Sequence, residues 1–260
     1  MQTSYSPFAW GNYETIRIAI MTSDQQPGRQ ICLAIDTALN ACSLALAICP
    51  EEGTEPALIE KSILMDRGHA EALMTQLEAL MQEAEVDYSD LTCLAVTVGP
   101  GSFTGLRVGL ATARAFALAL KIPLVGLSTL QALEVTAREL GQDGVICAAI
   151  DARRGQIYCQ IFGLDHESKP KVASLEEVMQ DLSSMKDVSL IGSASELIRQ
   201  VQDEPQNNEA GETSLLPQVP DMAVVAKWAL KQPKTDISPS PLYLRAPDAK
   251  PQVGKAIARA

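Results

Sequence analysis

Val96-Thr97-Val98-Gly99-Pro100-Gly101-Ser102-Phe103-Thr104-Gly105-Leu106-Arg107-Val108-Gly109 runs from a buried strand through a glycine turn into a helix. A turn of this kind leaves backbone N–H groups at a helix N-terminus, where the dipole favours an anion. A P-loop would place Lys after the last glycine, and Leu106 stands there. A Rossmann turn has Gly-x-Gly-x-x-Gly on the first strand of its unit, whereas this spacing is Gly-x-Gly-x-x-x-Gly on a later strand. The serine of a nucleophile elbow is replaced by Phe103, between Gly101 and Gly105. Two readings stay open: a backbone anion site at Gly99, Gly101, Ser102 and Thr104, or a turn that serves only the fold.

Downstream, the helix from Phe103 to Lys121 repeats Gly105, Gly109, Ala113 and Ala117 at every fourth position, a stripe of small residues that admits another element closely. The commoner use of such a stripe is packing on the lobe's own sheet. Val108, Leu110, Ala111, Phe116, Leu118 and Leu120 place apolar groups on the other faces, so cover on two sides is expected, from the fold or from a partner.

Upstream, Ile31 to Thr37 and Ala41 to Ile48 read as a hairpin with Asp36 at its tip, and Glu60 to Met65 as a third strand. Leu73, Leu77, Leu80 and Ala84 recur at helical spacing, with Met74 and Met81 widening the stripe, so a helix spans about Gly68 to Glu85. Leu91 to Val98 is the strand before the turn. In the second half, Ala149-Ile150-Asp151 repeats Ala34-Ile35-Asp36 at the end of a strand, followed by another strand at Gln156 to Phe162. Val188 to Ile191, Gly192-Ser193-Ala194 and a short helix to Val201 echo the strand, glycine and helix unit. The pattern indicates a duplicated α/β lobe. Gln202 to Pro220 reads as a loop, Asp221 to Lys231 as a short helix, and the chain beyond Pro233 as an extended surface tail.

With 260 residues, 47% hydrophobic and 20% charged, the chain has material for a sizeable core without disulfides or metal. Six cysteines lie in apolar runs with no Cys-x-x-Cys pair, which suits reduced, buried thiols of a cytoplasmic protein. Met1 to Gln30 has no secretory pattern and reads as a polar extension, and no apolar run is expected to span a bilayer. A net charge of −11 and only 4% aromatic residues argue against unaided nucleic-acid binding, because Lys and Arg contacts to phosphate supply most of that affinity.

Only two histidines are present. Four residues after His69, where a second metal ligand would share its helix face, stands Leu73; His166 sits in an acidic loop. Asp36 and Asp151 either hold magnesium between lobes or each accept N–H bonds from their own turn, the latter being favoured because the second lobe has no Gly-Gly pair.

Ile35-Asp36-Thr37, His69, the Gly99 to Arg107 block, Ser128-Thr129-Leu130, Ile150-Asp151-Ala152-Arg153 and Tyr243-Leu244-Arg245 together resemble the TsaB (YeaZ-type) family over residues 31–245. The resemblance implies an α/β fold of two duplicated actin-like (ASKHA, ribonuclease H-like) lobes, each a mixed five-stranded sheet with flanking helices. It divides the chain into an extension at 1–30, an N-terminal lobe at 31–128, a C-terminal lobe at 129–245 and a tail at 246–260. It also implies a non-catalytic, cytoplasmic subunit without a cofactor of its own, which supports threonylcarbamoylation of adenosine beside the tRNA anticodon. Its partners would be the catalytic paralogue TsaD and the ATPase TsaE, with tRNA met only through the complex, TsaC supplying the activated threonylcarbamoyl adenylate, and a homodimer as a further state. The family's first two helices carry the interface, placing it at Met74, Leu77, Met81, Gly105, Val108, Gly109, Thr112, Ala113 and Phe116. The alternatives are an ATP-dependent enzyme of the same fold or a glycoprotease-like metallopeptidase.

Overall fold

The computed structural model describes residues 28–163, 167–202, 216–234 and 238–245. The expectations for residues 1–27, His166, most of the 202–220 loop and residues 246–260 lie outside them. The first half forms β1 (Gln30–Asp36), β2 (Ala41–Cys49), β3 (Ala57–Leu64), α1 (His69–Glu83), β4 (Cys93–Thr97), α2 (Phe103–Leu120) and β5 (Leu124–Leu127). A five-stranded sheet runs β3-β2-β1-β4-β5, antiparallel through the hairpins and parallel from β1 to β4 and β5.

The alternation of side chains along its strands explains the layers on either side. Ile31, Leu33 and Ile35 of β1, with Leu44 and Leu46 of β2, meet Leu73, Leu77, Leu80 and Met81 of α1 and Leu110 and Ala113 of α2. The intervening Cys32, Ala34, Ala45 and Ala47 face the opposite way. Because those residues are small, they admit another helix, α6 (Met222–Leu230), which presents Ala223, Ala226 and Ala229. This helix falls inside the expected 129–245 lobe, but it packs on the first sheet. Its N-cap is Asp221, whose Oδ1 accepts from the N–H groups of Ala223 and Val224 at 2.9 and 3.0 Å.

The second half forms α3 (Thr129–Glu139), β6 (Val145–Asp151), β7 (Gln156–Phe162), β8 (Lys171–Ser174), α4 (Leu175–Leu182), β9 (Val188–Ile191) and α5 (Ser195–Gln202). Its sheet runs β8-β7-β6-β9, with β9 parallel to β6. Hairpins followed by a parallel strand repeat the order of the first sheet. Where five strands were expected, four form among the described residues, since nothing there takes the place of β5. Ile146, Ala148 and Ile150 pack against Leu130, Leu133 and Ala137 of α3 and against Ala38, Leu39 and Leu106 of the first lobe, so α3 lies in the seam between the sheets. The other face of β6 is covered by α4 and α5.

Against the expectation from the sequence, α2 is long and apolar enough to cross a membrane by length and composition, alone among the described residues. As folded it lays Leu106, Leu110 and Ala113 into the core and carries Arg107 and Arg114 outward.

Candidate functional site

The glycine turn is pinned to the β1–β2 hairpin. Ser102 donates its N–H to the Ala38 carbonyl at 2.7 Å, and its Oγ caps α2 by accepting from Gly105 at 3.4 Å. The Gly99 carbonyl accepts from the Thr129 N–H, joining the turn to α3. At Gly101 an added Cβ would stand 2.3 Å from the Ala38 oxygen, so only glycine permits this approach. Of the atoms an anion cradle would use, the Ser102 N–H and hydroxyl already have protein partners. This commits the Ser102 N–H to the fold, while Ser102 and Thr104 remain exposed at the start of α2.

Thr37 explains the stripe on α2. Its hydroxyl donates to the Gly105 carbonyl at 2.7 Å and accepts from the Gly109 N–H at 3.0 Å, bonding across 68 and 72 residues of sequence. A Cβ on Gly105 would lie 2.0 Å from the Thr37 carbonyl oxygen, and one on Gly109 would lie 2.5 Å from Thr37 Oγ1. Ala113 is wholly buried in the same core. The expectation that Gly105, Gly109 and Ala113 meet a partner is therefore overturned: the chain's own hairpin fills that space. Leu77 and Met81 are corrected in the same way, since both are buried under the first sheet.

What α1 and α2 present outward is different. Met74 is half exposed, and Leu118 is 81% exposed although it is a large apolar side chain. Ala111, Ala115 and Leu118 recur on the open face of α2 at steps of four and three. Val108, Thr112 and Phe116 are half-buried at its margins, with Phe116 stacked on Tyr88 at 5.4 Å. The sequence had offered Leu118 only as apolar surface on another face; its phase opposite the glycines was the available signal.

The two aspartates each serve their own turn. Asp36 Oδ1 accepts from Ala38 N–H at 3.1 Å and from the Thr97 hydroxyl, and Asp151 Oδ1 accepts from Arg153 N–H at 2.7 Å. Burial pushes the Asp36 carboxyl above its ordinary pKa, against opposing contributions from Thr97, Ala38 and His69. Its Oδ2 has no hydrogen-bond partner among the described residues. His69 opens α1 with Nε2 at 3.1 Å from the Leu39 carbonyl. No group of three or more His, Cys, Asp or Glu side chains suited to a metal occurs among the described residues. Between the lobes lies a cleft of about 710 Å3, lined among others by Ser102, Asp151, Arg153, Tyr158, Ser193 and Tyr243. The tail closes over this region: Leu242 donates to the Val98 carbonyl at 2.7 Å, Tyr243 packs on Phe103 at 5.0 Å, and Arg245 reaches the Ala152 carbonyl at 3.1 Å.

The family model described as TsaD, tRNA N6-adenosine threonylcarbamoyltransferase, matches residues 63–252. The tRNA threonylcarbamoyladenosine biosynthesis protein TsaB of Escherichia coli is 34% identical over 160 residues, which are 58% of this chain and 67% of that protein. This chain belongs to the TsaB family. The TsaB of Bacillus subtilis is 32% identical over 59% of this chain, and the matched stretch spans 61% of that relative, less than two thirds of its length. A Pseudomonas aeruginosa structure described as similar to peptidase YEAZ superposes with a TM-score of 0.64 at 25% identity, covering 83% of this chain and 100% of that one.

Proposed function

We propose that this chain is the non-catalytic subunit of a cytoplasmic tRNA threonylcarbamoyladenosine system, acting by docking on a TsaD-type catalytic subunit. The observation that carries the reading is the outward stripe of Ala111, Ala115 and Leu118 on α2, together with the half-exposed Met74 on α1. An apolar helix face left uncovered costs free energy in water and gains it when a partner buries it. Val108, Thr112 and Phe116 form the margin of this interface. A TsaE-type ATPase would join the pair, tRNA would be met through the complex because the chain carries net charge −11, and a homodimer would use the same face when the partner is missing. In this reading the two sheets are duplicated actin-like lobes, with residues 31–128 and α6 forming one and β6 to α5 the other, the latter showing no counterpart of β5 among the described residues.

Reconstitution tests this reading. Omitting the chain from a mixture of the catalytic subunit, the ATPase, tRNA and activated threonylcarbamate should reduce tRNA modification to background. Full modification without it would refute an accessory role. A second reading, an ATP-dependent enzyme, is favoured by the cleft between the lobes. Titration of the isolated chain with ATP and magnesium separates the two, because the accessory reading expects no heat of binding.

A further inference from the structure

Cys32 and Cys93 occupy paired positions on the adjacent parallel strands β1 and β4. Paired residues on neighbouring strands project to one face of the sheet, and both thiols sit beneath α6. Neighbouring strands lie roughly 4.8 Å apart, which falls within the Cα separation of about 4.4–6.8 Å that a disulfide bridges. We propose that Cys32 and Cys93 form a reversible dithiol–disulfide pair that hydroperoxides oxidise.

The two thiols are unequal. Cys93 opens β4 and retains 5% exposure, whereas Cys32 has none. The neighbouring Cys32 thiol, with Lys234 and Thr92, holds the Cys93 thiol below its ordinary pKa against the opposing effect of burial. The neighbouring Cys93 and burial push the Cys32 thiol above its ordinary pKa. Cys93 is therefore the attacking sulfur: its thiolate displaces one oxygen of the peroxide, giving a sulfenic acid and, after protonation, water. Cys32 then attacks the sulfenic sulfur and loses its proton as a second water leaves. Two thiols and one hydrogen peroxide give one disulfide and two waters.

The remaining cysteines are internal controls. Burial pushes Cys42 and Cys159 up to about 11 and Cys147 higher still, and the Cys49 thiol donates to the Glu51 carbonyl at 2.9 Å. Cys159 stands opposite Ala149, and Cys147 opposite Ile161, so those two are not register partners.

Oxidation of the reduced, folded full-length chain with hydrogen peroxide, alkylation in denaturant and peptide mapping provide the test. The expected product has one disulfide joining Cys32 to Cys93, four alkylated cysteines and full reversal by dithiothreitol. Six alkylated cysteines, or a disulfide elsewhere, would overturn the proposal. In Cys32→Ala, dimedone should label Cys93 after the same treatment. An unlabelled Cys93 in the folded variant would equally reject it.

Discussion

The two faces of α2 carry similar residues and have opposite fates. Inward, Gly105, Gly109 and Ala113 leave no room, because the β1–β2 hairpin lies against the helix and Thr37 bonds to its backbone twice. Outward, Ala111, Ala115 and Leu118 are left exposed among the described residues. A stripe of small residues therefore marks where backbone approaches backbone. It does not say whose backbone, and here the answer is the chain's own.

The largest effect should follow from disturbing the inward face. Gly105→Ala places a methyl group against the Thr37 carbonyl, where rigid backbone opposes it on both sides, and should cost about 3 kcal/mol. Urea unfolding followed by circular dichroism would check this, and an unchanged midpoint would contradict the close approach. Ala113→Arg belongs to the same class, since it would disrupt this core before it touched any partner. Thr37→Val keeps the shape and removes the hydroxyl that pairs Gly105 and Gly109. The loss should be about 2 kcal/mol in the same assay, because two buried backbone groups lose a partner.

Asp36 gives a smaller, pH-dependent effect. Its native pKa is raised from 3.8 by burial. A carboxyl shifted this way favours folding while protonated, below its unfolded pKa, and that contribution disappears as pH rises through the native value. Asp36→Asn keeps an oxygen for Ala38 and carries no charge. Its stability relative to the parent should therefore increase as pH rises above the unfolded carboxylate value of 3.8 and through the raised native one, and a difference independent of pH would contradict the assignment. Leu118→Glu on the outward face should change stability least, within about 0.5 kcal/mol.

Much of this was legible in the sequence because period-two and helical patterns were strong. The strands Gln156–Phe162 and Val188–Ile191 and the start of α2 at Phe103 lie where the residues placed them. β3 begins at Ala57, ahead of the expected Glu60, since an exposed edge strand has no buried face to mark its start. The four-residue β5 and β8 were not anticipated, being too short to show alternation. Two helices were missed despite local signals: Ser128 and Ser174 cap α3 and α4, with Glu177 completing a capping box on the latter. For α6 the helix was evident and its destination was not. Met222, Val225 and Trp228 suit any apolar surface, and only the alanines on the far side of the first sheet select it.

On the proposed reading, the outward face of α1 and α2 docks a TsaD-type subunit. Calorimetric titration of that subunit, from the same organism, with Leu118→Glu tests it most directly. The expected result is at least roughly tenfold weaker binding than the parent, with an unchanged unfolding midpoint. Undiminished affinity in that folded variant would contradict the account.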